Sequence, residues 1–362
     1  MRFELLVDSD AFCERLTEDL LAADRRILVQ ALTFEGDDAG RLIGDALLAR
    51  PGIDRRVLID SYTRVILSDR LRFRPANLLD AELRREARET EALVERLRAD
   101  GVGVRFTNPL GPLLVRFPVR DHKKIIVVDD RIAYIGGINF SDHNFAWHDM
   151  MLRVDDPDVA ALLRDDFLAT WAGEPAPRSG AFDGIEVHTL DGTENGPVFD
   201  AVYADRIDRA ERSVLVHSPY LTFPFCEPLA RACARGLDVT VITPEQNNRP
   251  SLRRYIEWEG ARCGFDVRLY QGGMSHLKAL LVDDECLVMG SANFDFLCYE
   301  LQPEILAVVT DRGVIDAFRE RVVLPDLRRS RPVDGAVPML RGHLRRLQMR
   351  ALGGLAVLMS GV

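Results

Sequence analysis

Two stretches of the chain, HKKIIVVDDRIAYIGGIN (residues 122–139) and HLKALLVDDECLVMGSAN (residues 276–293), repeat one pattern. Each contains H-x-K-x-x-x-x-D and then G-[GS]-x-N, and every matching residue is offset by the same 154 residues. One such motif arises by chance in about 2% of chains of this length, whereas two with identical spacers are not accidental. The β-branched runs and the central Asp-Asp pair predict a β-hairpin in each copy.

The repeat extends beyond these motifs. ADRRILVQ at residues 23–30 resembles AERSVLVH at residues 210–217, and in each copy a helical stretch and a second apolar strand follow. Strands that alternate with helices predict an α/β fold with buried sheets. We therefore expect two similar lobes, each a mixed β-sheet flanked by helices, packed about a pseudo-twofold axis.

Four regions are predicted along the chain. The first lobe covers residues 1–172, a linker rich in Pro and Gly covers 173–186, the second lobe covers 187–325, and a basic and apolar tail covers 326–362. The offset between the copies falls from 187 to 154 residues along the chain, so the first lobe carries about 33 extra residues. We place this insertion at about residues 63–120, where it includes an amphipathic helix over 80–98.

Composition narrows the function classes. The chain has 362 residues, 47% of them hydrophobic, and a formal net charge of −10, which argues against nucleic acid as a partner because phosphate neutralisation drives that binding. No segment of the sequence has a run of apolar residues near the length of about 18 that a membrane-spanning helix needs. The first residues do not have the pattern of a signal peptide. The six cysteines are scattered without metal spacing, which is typical of small, mostly buried residues in a reducing compartment.

The motif residues suit chemistry on a phosphodiester. Side chains two apart on a strand share a face, so each His should point the same way as its Lys. Lysines and amides can hold phosphate oxygens while one imidazole attacks phosphorus and the other protonates the leaving alkoxide. The candidates are His122, Lys124 and Asn139 in the first copy and His276, Lys278 and Asn293 in the second.

Two further pairs of carboxylates lie at matching places. Asp149 and Glu304, which follow the motif histidines by 27 and 28 residues, are candidates to orient the imidazoles, with surface salt bridges as the alternative. Asp129 and Asp283 complete the motif and are included in the catalytic set. Their place at the strand end favours a role in organising the turn rather than in the chemistry.

With these residues the chain resembles the phospholipase D superfamily, and within it the cardiolipin synthase-like branch. The segments Trp147–Arg153, Ser218–Tyr220 and Gln302–Glu304 add to the likeness. The resemblance implies a covalent phosphatidyl-histidine intermediate, no metal or other cofactor, and transfer of the phosphatidyl group to an alcohol. It also implies that His122 is the nucleophile and His276 the acid, although the pseudo-symmetry leaves this assignment open.

The chain departs from that branch in one clear respect: typical cardiolipin synthases begin with membrane-spanning helices, and this sequence shows none. We therefore expect a protein on the cytoplasmic face of the membrane, held peripherally to an anionic surface by its Arg-rich tail. A tail helix packed on the lobe is the alternative. The apolar stretch 110–119 is either a lip for acyl chains or a loop packed over the core.

Three aromatic or imidazole side chains remain ambiguous. Tyr220 suits the wall of the pocket and a core position equally. His143 and His148 have metal-like spacing, but no further ligand completes a set, which favours loop histidines.

The sequence thus predicts a phosphatidyltransferase with phospholipid substrates and no obligate oligomer. Three alternatives stay open: a phospholipase D that transfers to water, a nuclease or phosphodiesterase of the same superfamily, and an inactive membrane-binding scaffold.

Overall fold

The computed structural model describes residues 1–111, 114, 116–334, 342–344, 346–351 and 354. The chain divides into two compact units, Met1–Gly180 and Ala181–Val362. Among the described residues no helix is long and apolar enough to cross a membrane.

The first unit is built on a seven-stranded sheet in the order β1-β9-β8-β7-β2-β3-β6. Its strands are β1 (Arg2–Val7), β2 (Arg26–Ala31), β3 (Asp54–Asp60), β6 (Gly103–Thr107), β7 (Ile125–Val128), β8 (Ile132–Gly136) and β9 (Met150–Asp155), and a separate two-stranded ribbon is formed by β4 (Ile66–Leu67) and β5 (Arg70–Leu71). Its helices are α1 (Asp8–Ala22), α2 (Asp38–Leu48), α3 (Ala81–Ala99), α4 (Asp142–Phe145) and α5 (Pro157–Ala172).

The second unit repeats this plan in a nine-stranded sheet, in the order β10-β11-β17-β16-β15-β12-β13-β14-β18. Its strands are β10 (Arg178–Phe182), β11 (Ile185–Thr189), β12 (Ser213–His217), β13 (Asp238–Pro244), β14 (Asp266–Tyr270), β15 (Ala279–Val282), β16 (Cys286–Gly290), β17 (Ile305–Val309) and β18 (Ser330–Pro332). Its helices are α6 (Asn195–Phe199), α7 (Asp205–Arg209), α8 (Cys226–Ala234), α9 (Pro250–Cys263), α10 (Phe296–Glu300), α11 (Arg312–Phe318) and α12 (Leu324–Arg328).

The strand orders show how closely the units match. Strands β1, β9, β8, β7, β2, β3 and β6 correspond one by one to β11, β17, β16, β15, β12, β13 and β14. In both units three neighbouring strands run parallel, β2, β3 and β6 in the first and β12, β13 and β14 in the second, and the other pairings are antiparallel. The prediction of two similar units, each a mixed sheet flanked by helices, is confirmed.

The predicted hairpins form around the Asp-Asp pairs. Strands β7 and β8 pair from Ile125–Ile135 to Val128–Ile132, and β15 and β16 pair in the same way in the second unit. All four aspartates of the two turns have φ between 53° and 57°, the left-handed region that a tight two-residue hairpin turn requires. Asp tolerates this conformation better than most residues, which explains its use there.

The helix that we assigned to the insertion has a counterpart. Helix α3 precedes β6 as α9 precedes β14, so this helix belongs to the repeated plan. The added residues of the first unit instead lie mainly in the connection 61–80, which holds the β4–β5 ribbon, and in the connection 108–124.

Two expected boundaries run through regular structure. The stretch 173–186, predicted as a linker, includes β10, because its residues 178–182 pair at the edge of the nine-stranded sheet. Strand β18 lies in the predicted tail and pairs with β14 at the other edge. Of the remaining tail, residues 335–341, 345, 352–353 and 355–362 lie outside the described residues, and residues 342–344 and 346–351 are helical.

Candidate functional site: one His–Lys–Asn set in each unit

Each motif histidine lies just before a central strand, and its lysine directly precedes that strand. His122 and Lys124 lead into β7, and His276 and Lys278 lead into β15. Lys124 Nζ donates to the His122 carbonyl at 2.7 Å, and Lys278 Nζ donates to the His276 carbonyl. Both lysines are only 1% exposed, so each ammonium is held beside its own histidine in a largely dry environment.

The residue between His and Lys turns the opposite way. Lys123 Nζ contacts Asp166 Oδ2 at 2.7 Å and Thr170 Oγ1 at 3.2 Å, both on α5. In the second unit Leu277 takes this place and is fully buried. The i, i+2 pattern therefore separates a site-facing lysine from a structural one, as the alternation of an extended chain requires.

The motif asparagines lie in the loops that follow β8 and β16. Asn139 is 4% exposed and its Oδ1 accepts from the Thr33 backbone N–H at 3.4 Å. Asn293 is 6% exposed, and its Oδ1 is buried without a hydrogen-bond partner among the described residues. A buried amide oxygen without a partner is costly, and as an acceptor it would be satisfied by a water molecule or by a hydroxyl group of a ligand.

The motif aspartates organise backbone rather than the site. The Asp129 carboxylate accepts from the N–H groups of residues 24, 25 and 26 at 2.7–3.0 Å. The Asp283 carboxylate accepts in the same way from residues 211, 212 and 213, each at 2.8 Å. Each clasp ties the hairpin turn to the start of the neighbouring strand, so these contacts favour the turn role over the catalytic one.

Asp149 and Glu304 are both buried, which speaks against exposed salt bridges. Asp149 is 3% exposed and Oδ1 accepts from the Met150 N–H at 2.9 Å. Its carboxylate lies against Gly137, where an added Cβ would come within 2.4 Å of Oδ1. Glu304 is fully buried and accepts a hydrogen bond from the Ser291 hydroxyl. Ser291 of the second unit therefore stands where the first unit has Gly137, at which a side chain would collide with Asp149.

A network that the sequence analysis missed lies behind His122. Gln30 Nε2, at the end of β2, donates to Asp121 Oδ2 at 2.7 Å, and the Asp121 N–H donates to Asp60 Oδ2 at 2.6 Å. Arg120 Nη1 reaches Asp60 Oδ1 at 2.7 Å. Burial raises the pKa of Asp121 to about 6 although the Lys123 ammonium opposes the rise, and burial raises the pKa of Asp60 to about 7 against the Arg120 guanidinium.

The second unit places different residues behind His276. Ser275 Oγ and His217 Nε2 are 3.0 Å apart, and His217 Nδ1 lies 3.4 Å from Asp326 Oδ2 on α12. Ser275 and His217 are fully buried. Gln30 and His217 occupy equivalent strand positions, a correspondence that the aligned repeat could have exposed from sequence.

The ambiguous aromatic and imidazole side chains are now placed. The Tyr220 ring meets the His276 ring edge-on at 6.4 Å between centroids, and its hydroxyl donates to Asn248 at 2.6 Å. Tyr220 therefore lies beside the His–Lys–Asn set of the second unit. His143 Nε2 lies 3.3 Å from Asp69, and His148 Nδ1 lies 2.5 Å from Asp8, so the two loop histidines pair with separate carboxylates and both are half-buried.

The tail helix packs on its own unit where it is described. The rings of His343 and Trp258 lie 5.1 Å apart, Arg346 pairs with Glu227, and Arg350 stacks over Phe223 at 4.6 Å. Arg331 pairs with Glu245. These arginines, which we expected to face a membrane, are thus engaged by the second unit, as the packed-helix alternative predicts.

The six cysteines are unpaired, and each is buried or half-buried. Of the apolar stretch 110–119, residues 112, 113 and 115 lie outside the described residues, Val119 is buried, and Phe117 packs against Tyr62 at 6.0 Å between ring centroids. A cavity of about 310 Å³ in the first unit, beside α3, is lined by none of the motif residues.

Comparison with known proteins shows the family to which this chain belongs. The family model described as "Cardiolipin synthase, PLD-like domain" matches residues 16–171 and 203–322, so the chain belongs to this family, a phosphatidyltransferase branch of the phospholipase D superfamily of enzymes. It is 26% identical over 358 residues to the major cardiolipin synthase ClsA of Bacillus subtilis, covering 89% of this chain and 69% of that protein. It is also 26% identical over 351 residues to cardiolipin synthase B of Salmonella typhimurium, covering 89% of this chain and 79% of that protein.

Among solved structures the chain resembles the phosphatidylserine synthase of Haemophilus influenzae, with a TM-score of 0.71 and 17% identity over 99% of this chain and 95% of that one. At this identity the likeness is one of fold. The chain spans between about two thirds and four fifths of the length of the cardiolipin synthases just named.

Proposed function

We propose that the protein is a phosphatidyltransferase of the cardiolipin synthase type, which moves a phosphatidyl group from phosphatidylglycerol or a similar phospholipid to a lipid hydroxyl. The observation that carries this proposal is the duplicated set of a half-buried or buried histidine with a lysine ammonium fixed to its carbonyl, in a chain of this family.

In the proposed first step, the His122 imidazole attacks phosphorus and the bond from phosphorus to the glycerol oxygen breaks. His276 gives its proton to that oxygen, and glycerol leaves. Lys124 and Lys278 neutralise the charge that builds on the non-bridging oxygens, and Asn139 and Asn293 donate to the same oxygens through their amide groups.

In the proposed second step, His276, now neutral, takes the proton from the hydroxyl of a second lipid. The resulting oxygen attacks phosphorus, the bond to the His122 nitrogen breaks, and the imidazole is regenerated. Asp149 and Glu304 would fix the imidazole tautomers, and their burial makes any such hydrogen bond strong. The protein would work at an anionic membrane surface on its cytoplasmic side, where both lipids are present.

The test is to incubate the purified chain with vesicles of labelled phosphatidylglycerol in the presence of a chelator and to resolve the lipid products, beside His122→Ala and His276→Ala. Cardiolipin and free glycerol, absent with both variants, are the expected result. Phosphatidic acid alone would make the protein a phospholipase D. No product from phosphatidylglycerol, even with phosphatidylethanolamine added, would contradict the proposal, and cleavage of DNA by the same preparation would then indicate a nuclease.

A further inference from the structure

The connection between β3 and α3 exposes a group of large apolar side chains. Phe73 is 57% exposed, Leu78 51% and Leu79 84%. These three lie within seven residues, whereas the other large exposed apolar residues of the described chain are single, apart from Leu344 and Leu347 on the tail helix. Several large exposed apolar side chains within one short segment are typical of an interaction surface.

The same segment is locally basic in an acidic protein. Residues 70–79 read RLRFRPANLL, with three arginines and no acid, in a chain of net charge −10. Arg70 pairs with Asp80, and Arg72 lies 3.6 Å from Glu91. The Arg74 side chain is exposed and makes no ion pair or hydrogen bond with the described residues. Its charge is therefore available to an anionic partner.

The segment is structured, not a loose loop. The Arg72 N–H donates to Val65 at 2.9 Å, and Asn77 Nδ2 donates to the Leu71 carbonyl at 2.9 Å. Leu67 of the ribbon packs with Leu83 and Ala87 of α3 in a small separate core. Phe73, Leu78 and Leu79 are not part of this core and stay exposed to solvent although the backbone around them is ordered by hydrogen bonds.

The second unit has no equivalent feature. Its β13 and α9 are joined by residues 245–249, which read EQNNR and contain no large apolar side chain. Because that unit forms the same sheet without the extra residues, the segment is not needed to complete the fold. The segment is an addition to the first unit, and three of its apolar side chains and Arg74 are exposed to solvent.

We propose that residues 72–79, called here the docking loop, bind the surface of an anionic lipid bilayer. Phe73, Leu78 and Leu79 would enter the boundary between headgroups and acyl chains, and Arg74 would contact lipid phosphates. Aromatic and leucine side chains beside arginines are the composition that interfacial segments use. The proposal rests on the proposed lipid-transferring function for its purpose, since it brings the first unit to its substrates.

The experiment measures co-sedimentation of the full chain with vesicles of phosphatidylcholine alone and of equal parts phosphatidylcholine and phosphatidylglycerol. Phe73→Ser/Leu78→Ser/Leu79→Ser should lower the partition coefficient for the anionic vesicles about tenfold or more, and Arg74→Glu should lower it about threefold. Leu21→Ser/Leu42→Ser, which changes exposed leucines elsewhere in the same unit, is the matched control and should bind as the unchanged protein does. Circular dichroism melting checks that every variant is folded.

Three outcomes would overturn the proposal: no binding of the unchanged protein, full binding by the triple variant, or loss of binding on Arg346→Glu/Arg350→Glu instead. Turnover of phosphatidylglycerol in detergent micelles separates this proposal from the function. The triple variant should keep micellar turnover and lose it on vesicles. A chain without turnover on any lipid whose vesicle binding still depends on the docking loop would contradict the function alone.

Discussion

The residue that precedes the motif histidine is an aspartate in the first unit and a serine in the second, and the two have different hydrogen-bond partners. Asp121 sits in an acidic and amide network with Gln30 and Asp60, whereas Ser275 contacts His217, which faces Asp326. The His, Lys and Asn of the two sets are alike, but what surrounds them differs. The two units therefore share the residues that we propose to bind phosphate and differ in the buried groups next to them. Such a difference in surroundings is what two histidines with different proposed tasks would need.

The largest expected effect on turnover comes from variants that remove the proposed nucleophile, His122, or the proposed proton donor, His276. With a labelled phosphatidyl donor whose leaving group is p-nitrophenol, which needs no proton, His276→Ala should still become labelled on His122 while overall turnover with natural donors falls by several orders of magnitude. His122→Ala should show neither label nor turnover. Acid-quenched protein analysed by mass spectrometry gives the readout, and His143→Ala serves as the control that keeps both. Label on His122→Ala would reverse the assignment of the two units.

The two site lysines should respond alike. Lys124→Ala and Lys278→Ala should each lower kcat/KM by about 10²–10³-fold, because each removes an ammonium placed to stabilise charge on the phosphoryl oxygens. Lys123→Leu, which copies the second unit at this position, is the contrasting variant. It should lower the denaturation midpoint by leaving Asp166 without its ion pair while kcat/KM below the transition stays the same. A loss confined to one site lysine would show that only one unit binds the phosphate.

The exchange of Gly137 and Ser291 should be strongly asymmetric. Gly137→Ser forces a Cβ against the Asp149 carboxylate, so kcat should fall roughly 10–100-fold and unfolding should become easier by about 2 kcal/mol. Ser291→Gly removes one hydroxyl that donates to Glu304 and accepts from the Ile305 N–H, which should cost about 1 kcal/mol. Urea denaturation and steady-state kinetics measure both. Equal effects would mean that Asp149 and Glu304 are held in the same way after all.

The last prediction concerns the pH dependence of stability. The pKa of Asp121 is raised to about 6 in the folded protein, above its ordinary value near 4 in an unfolded chain. The stability that this group contributes is therefore fully present below about pH 4 and is lost as the pH rises through about 6. The free energy of unfolding of Asp121→Asn, relative to that of the unchanged protein, should therefore rise by about 2 kcal/mol between pH 4 and pH 7, as measured by urea denaturation. If the stability of Asp121→Asn relative to the unchanged protein did not change between pH 4 and pH 7, the pKa of Asp121 would not be raised in the folded protein.

Much of this could be read from the sequence because the two copies constrain each other. The repeated HKKIIVVDD and HLKALLVDD predicted the two hairpins, and the alternation of strands and helices predicted a mixed sheet flanked by helices in each unit. The helix over 80–98 was correctly expected, but its assignment to the insertion was not, since only the strand order shows that α9 is its partner. The networks at Asp121 and His217 could not be predicted in the same way. Asp121 and Gln30 are 91 positions apart, His217 and Ser275 are 58 apart, and neither pair forms a recognisable motif.

The aspartate clasps also set how much each unit can be lengthened. Asp129 reaches Arg25 across 104 residues, whereas Asp283 reaches Arg212 across 71. The entropy of closing a loop grows only with the logarithm of its length, so the longer loop costs only about 0.3 kcal/mol more. The extra segment of the first unit lies between Arg25 and Asp129, the two residues that this hydrogen bond joins. Its length therefore does not change how the two ends meet beside β7. A unit closed in this way can gain new surface elements at almost no thermodynamic penalty.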